Sequence, residues 1–230
     1  MVDDIQNVLS SPYFPGIWLA QAAFALFLLL ADFKNKNPEI HGIMKFVWFL
    51  TVGYSGLFGL AVYFYSGRKQ ISKDDLWRRS FRSVAHCYSG CGAGEILGVT
   101  TSVGLFALGQ VWVALFTFLC AYTFGLILTI LPLRKEGESW GTATKDAFIS
   151  ESASIVVMEA VAIGVDLWLA GESGLGDILF WSSLIVSLTA GLLAAYPVNV
   201  ALVYWGVKEG MHDPREMAKH AQGLHHQHAH

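Results

Sequence analysis

The sequence predicts an all-α fold, a polytopic membrane bundle of about six transmembrane helices. Three observations predict it. Hydrophobic residues fill 54% of the 230 positions and charged residues only 14%, far below the share usual in soluble domains. The apolar residues fall into runs of about 20, the length a helix needs to cross the hydrocarbon core. The charged residues gather between those runs. A net charge of −3 gives no basic face for nucleic acid, and three cysteines are too few for a disulfide scaffold.

Six segments qualify as spans. The first, 15–32, is short for a crossing and contains Gln21; the acidic start "MVDDIQ" lacks the basic opening of a signal peptide, so this run is read as retained. The second is 43–66, with "GYSGLFG" offering small residues for close helix approach. Spans 84–106 and 108–131 form a tight hairpin about "FALGQ", and 147–170 follows. The sixth, 177–207, is interrupted at "AAYPVN", where Pro197 removes a backbone donor and predicts a kink met by Tyr196 and Asn199.

Six crossings would put both termini on one side. Lys and Arg then divide as six in the 67–82 linker, three in 132–146 and three in the tail, against three in 33–45. The positive-inside rule assigns both termini to the cytoplasm of a cell (inner or plasma) membrane. Three regions follow: 1–82 with two helices and a basic linker, 83–208 with four helices, and a His-rich tail over 209–230.

The chemistry concentrates in "HCYSGCGAGEILG", residues 86–98. Cys87, Cys91 and Glu95 recur at i, i+4 and i+8 on one helical stripe, and Gly90, Gly92, Gly94 and Gly98 leave it open to another helix or a small ion. Thiolate and imidazole suit Cu(I) first and Zn²⁺ second, with His86 as a third ligand. Simple packing of small residues and redox work by the thiols are the alternatives. Cysteines at i and i+4 of a helix have poor dihedral geometry for a disulfide.

Span 147–170 carries Glu151, Glu159 and Asp166 within an arc of about 80°. An unpaired acid facing lipid costs about 3 kcal/mol. No membrane-embedded Lys or Arg is available to neutralise these acids, so a structural ion pair requires a linker residue. Glu95 and Glu159 are the deepest, and are read as cation ligands or proton carriers. Met158 is a candidate thioether ligand, or core filling. Six of the eight histidines fall in the tail, where His225, His226, His228 and His230 are read as a metal-collecting tract.

Two motifs carry a family resemblance. "HCYSGCGAGEILG" resembles His-Cys-x-x-x-Cys-x-x-Gly-(Asp/Glu)-x-x-Gly, and "AAYPVNVALVYWGVKEGM" resembles Tyr-Pro-Val-Asn followed by Gly-(Ile/Val)-Lys-Glu-Gly-Met. Both are similar to an uncharacterised prokaryotic integral-membrane family known as a domain of unknown function. The resemblance covers about 80–212 and implies His86, Cys87, Cys91, Glu95, Tyr196, Pro197 and Asn199 as motif positions. It implies no reaction, and the acidic span 147–170 departs from its pattern.

Three functions stand as expectations. The first is a membrane protein that binds a soft transition metal, with transport as the extension of that binding, its partners being lipid, the ion and further copies of the chain. The second is a thiol–disulfide or quinone-linked oxidoreductase. The third is a non-catalytic assembly subunit.

Overall fold

The apolar runs fold as helices because helices satisfy every backbone donor and acceptor internally, as lipid requires. The computed structural model describes residues 2–171, 173–211 and 213–219, and among these no strand occurs. The helices that build the bundle follow in order: α1 (Val2–Leu9), α2 (Tyr13–Asn35), α3 (Gly42–Ser66), α4 (Leu76–Gly104), α5 (Gln110–Lys135), α6 (Trp140–Ala170) and α7 (Ile178–Tyr204). Five are long and apolar enough to cross a membrane, namely α2, α3, α5, α6 and α7. The protein is a polytopic helical membrane bundle.

One of those five does not cross. At Gly56 the backbone of α3 leaves the helical region, with φ 58° and ψ −131°. The chain then doubles back. The rings of Trp48 and Tyr63 meet at 5.4 Å, although 15 residues of straight helix would span about 22 Å. A β-carbon on Gly59 would stand 2.8 Å from the Thr51 carbonyl oxygen, eight residues earlier. Thus α3 is a re-entrant hairpin whose two arms lie side by side. Its tip reaches the middle of α4, where Tyr54 packs edge-on against Tyr88 at 5.7 Å.

Gln21, the residue that made the first span doubtful, explains how this tip is tolerated. Its Oε1 accepts a hydrogen bond from the Leu57 N–H at 2.7 Å, supplying a partner for a backbone donor freed by the reversal. The base of the hairpin is tied to α2 at Asp32. That carboxylate accepts from Asn37 Nδ2 (2.7 Å), Tyr63 OH (2.7 Å) and Arg68 NH2 (2.9 Å).

In place of α3, α4 passes through the bundle, packed between α3, α5, α6 and α7. Asp75 caps it by accepting from the Arg78 N–H at 3.1 Å, a bond that holds the Asp75 carboxyl below the usual carboxylate range. Its seam with α5 is built from glycine. A β-carbon on Gly94 would lie 2.5 Å from the Ala121 Cα, one on Gly90 3.0 Å from the Gly125 Cα, and one on Gly98 2.7 Å from the Thr117 Cα. The glycines therefore do not leave the thiol stripe open; α5 closes over Gly90, Gly94 and Gly98, and Tyr54 over Gly92. Gly94→Ala should force two backbones apart and cost about 1–3 kcal/mol. A lowered unfolding midpoint in detergent measures it, and an unchanged midpoint would refute the seam.

The fold-back corrects the expected topology. Five helices, α2 and α4 to α7, run from end to end, so α1 and the segment 205–219 lie at opposite ends. Gln6 Nε2 reaches the Leu169 carbonyl at 2.9 Å and Gln110 Nε2 the Gly171 carbonyl at 3.2 Å, gathering α1 and the loops 105–109 and 171–177 at one end. At the other, Lys69 N donates to Asn37 Oδ1 at 3.0 Å, Lys45 Nζ to the Pro38 carbonyl at 2.7 Å, and Arg79 to the Glu209 carbonyl at 2.7 Å. Lys34, Lys36 and Lys45, counted on the opposite side under six crossings, join the rest. All 15 Lys and Arg residues now fall toward one end.

Pro197 lies inside a continuous α7, whereas the interruption of helical backbone lies at Gly56 of α3. No non-helical residue interrupts α7 between Ile178 and Tyr204. Tyr196 stacks on Phe81 at 4.1 Å, while Asn199 Nδ2 donates to the Ala195 carbonyl at 2.9 Å.

Candidate functional site, a buried polar column

Because α4 and α6 run the same way, residues at matching depths of the two helices face one another. On α6 the acids extend from Glu151 to Asp166, about 22 Å at 1.5 Å per residue. Between them and α4 runs a file of polar side chains inside the apolar bundle.

At the basic end the file begins with an ion pair. Lys208 Nζ lies 2.6 Å from Glu151 Oε2, and both side chains are buried. This corrects the expectation that the acids lack any basic partner within the bundle. The chain turns at Gly206 (φ 72°), Lys208 N returns to the Leu202 carbonyl at 3.2 Å, and the side chain re-enters the bundle. The Glu151 carboxylate is thus an interior, paired group.

From Lys208 a continuous set of hydrogen bonds leads to sulfur. Its ammonium also donates to Asn199 Oδ1 at 2.9 Å, which accepts from Ser83 Oγ at 2.8 Å as well. Asn199 Nδ2 donates to Ser154 Oγ at 2.6 Å, and Ser154 Oγ donates to Cys87 Sγ at 3.4 Å. Cys87 and Cys91 stand with their sulfurs 3.9 Å apart, both reduced and fully buried. The i, i+4 spacing brings them together as the helical repeat requires.

Beyond the sulfurs the column turns acidic. Glu159 is completely buried, lies beside Cys91 and within electrostatic reach of Glu95, and among the described residues neither of its oxygens has a hydrogen-bond partner. Glu95 is buried with Oε2 unpartnered, as is the neighbouring Tyr88 hydroxyl. Asp166, half-buried, accepts from Ser183 Oγ at 2.8 Å. Buried polar atoms without partners are uncommon, and here they collect around two carboxyl groups.

Other expected ligands point elsewhere. His86 directs Nε2 at Thr129 Oγ1 of α5, 3.3 Å away, and its Nδ1 has no partner, so the imidazole does not complete a ligand set with the thiols. Met158 packs against Gly191 of α7, as core filling. Among the described residues no group of three or more His, Cys, Asp or Glu side chains forms a cage for a metal ion. His225, His226, His228 and His230 lie outside the described residues.

Sequence reasoning found Cys87, Cys91, Glu95, Glu159 and Asn199. It missed Lys208, Ser154, Ser83 and Gln21. The available signal for Lys208 was its place in the Gly-(Ile/Val)-Lys-Glu-Gly-Met motif, whose first glycine, Gly206, permits the reversal that carries a long side chain back inside.

Fold and site together define a multi-pass membrane protein built around an internal polar column. The chain belongs to the family described as Domain of unknown function (DUF4396), which it matches over residues 76–208, from the start of α4 through Lys208. Comparison with curated proteins gives no match. Comparison with solved structures gives none either.

Proposed function

We propose that this protein binds a soft monovalent metal ion, Cu(I), between Cys87 and Cys91, and passes it or protons along the column. The observation that carries the reading is the pair of reduced sulfurs 3.9 Å apart, fully enclosed between acids. Two thiolates suit Cu(I), which prefers soft donors. Zn²⁺ is second, since it calls for four ligands and His86 is turned away. An ion bound by a thiol displaces its proton. Glu159, beside Cys91, is placed to take that proton, and Glu95 is the next group in the file.

The membrane setting follows the charges. With 15 Lys and Arg toward one end, the positive-inside rule puts that end in the cytoplasm. The Lys208–Glu151 end of the column then faces the cytoplasm and α1 the opposite side, in a cell membrane.

Metal analysis of purified protein loaded with Cu(I) tests the reading. Cys87→Ser/Cys91→Ser should hold one equivalent less than the parent, any metal on the His-rich tail cancelling in the comparison. Equal metal content in the two would overturn it.

A further inference from the structure

Lys208 is the lysine of the Gly-(Ile/Val)-Lys-Glu-Gly-Met motif, and it heads the hydrogen-bond path to the thiol pair. The direction of each bond is set by its groups. An ammonium only donates, so Asn199 Oδ1 must accept at 2.9 Å. Ser83 Oγ converges on the same oxygen at 2.8 Å, which fixes the amide with its nitrogen toward α6. Asn199 Nδ2 then donates to Ser154 Oγ at 2.6 Å and to the Ala195 carbonyl. With its oxygen occupied by that donor, Ser154 turns its own proton to Cys87 Sγ at 3.4 Å. Cys91 receives no such bond; its sulfur faces the bare Gly125 of α5 and the Glu159 carboxyl.

We propose that Lys208 is a positioning residue for the thiol pair, which through Asn199 and Ser154 fixes Cys87 as the accepting sulfur and the first to meet a soft cation. The two thiols are chemically identical in sequence and distinct in place. The Glu151 carboxylate holds Lys208 at the head of the path, as the 2.6 Å contact requires. Cys91 follows as the second donor, its sulfur 3.9 Å from that of Cys87. The path ranks two adjacent sulfurs, and it does so from a residue beyond the end of α7.

The inference deepens the metal reading and is tested both without metal and with it. Infrared absorption of the S–H bond is recorded on metal-free protein in two backgrounds, Cys91→Ser/Cys120→Ala and Cys87→Ser/Cys120→Ala. Ser154→Ala, a small change in a buried site, should shift or restore the Cys87 band and leave the Cys91 band in place. Lys208→Met/Glu151→Gln, which removes both charges, should act in the same way, and Lys208→Arg should preserve the parent spectrum. Separately, Ser154→Ala in the parent should weaken Cu(I) binding about tenfold in a chelator competition, the scale of one hydrogen bond to a charged group. A Cys87 band indifferent to Ser154→Ala, or two bands that move alike, would overturn the proposal. Absence of Cu(I) binding in the parent would defeat the metal reading alone, and the metal-free spectra would still decide the ranking of the sulfurs.

Discussion

Lys208→Met should destabilise the protein by about 3–5 kcal/mol, the cost of leaving one member of a buried ion pair uncompensated. The Glu151 carboxylate, 2% exposed, then loses the ammonium that stands 2.6 Å from its Oε2. Asn199 Oδ1 loses one of its two donors in the same stroke. The double variant Lys208→Met/Glu151→Gln should recover most of that loss, because a neutral amide and a thioether remove both charges together. Unfolding free energies of the parent, Lys208→Met, Glu151→Gln and the double variant in detergent give the coupling energy. Additive effects would mean that the 2.6 Å contact contributes nothing to the folded state.

Gly56→Ala should be damaging for a backbone reason. The pair φ 58° and ψ −131° lies where only glycine is comfortable, and forcing another residue there costs about 1–3 kcal/mol. A new methyl group would also overlap the Gln21 amide, which crowds the tip while accepting from Leu57 N. Overpacking adds about 1–3 kcal/mol. The expected result is a loss of about 2–6 kcal/mol, read as a fall in the yield of monodisperse protein and in its unfolding midpoint. Gly56→Ala/Gln21→Ala should relieve the overlap and leave the torsional penalty, so recovery should be partial. Parent-like stability of Gly56→Ala would mean that α3 does not reverse at this point.

The helical class of the fold was legible because it rests on composition and run length, which tertiary contacts do not alter. The stripe of Cys87, Cys91 and Glu95 was legible because the helical repeat alone aligns it. The reversal of α3 was not. A run of 24 apolar residues suits one crossing or two half-helices equally, and "GYSGLFG" looks the same whether its glycines serve packing or a turn. Only the Gln21 amide and the left-handed torsion at Gly56 separate the two, and both are properties of the assembled chain. The Lys208 pair was hidden for a related reason. Its lysine lies outside the span by number and inside the bundle by geometry. The charge count carried the correction in latent form, since Lys34, Lys36 and Lys45 opposed the other twelve basic residues only while α3 was taken as a crossing.

The helix that carries both sulfurs is also the one least suited to oil. Of the six long helices, α4 alone falls short of the apolarity expected of a self-inserting segment. It is rich in glycine, serine and arginine, and it packs against the more apolar α3, α5, α6 and α7. During synthesis such a segment has no stable resting place in the bilayer by itself. It must wait at the insertion machinery, or at the water–lipid boundary, for later helices to emerge and escort it inward. The polar column is therefore complete only once α7 and Lys208, both later in the chain than α4, have packed against it.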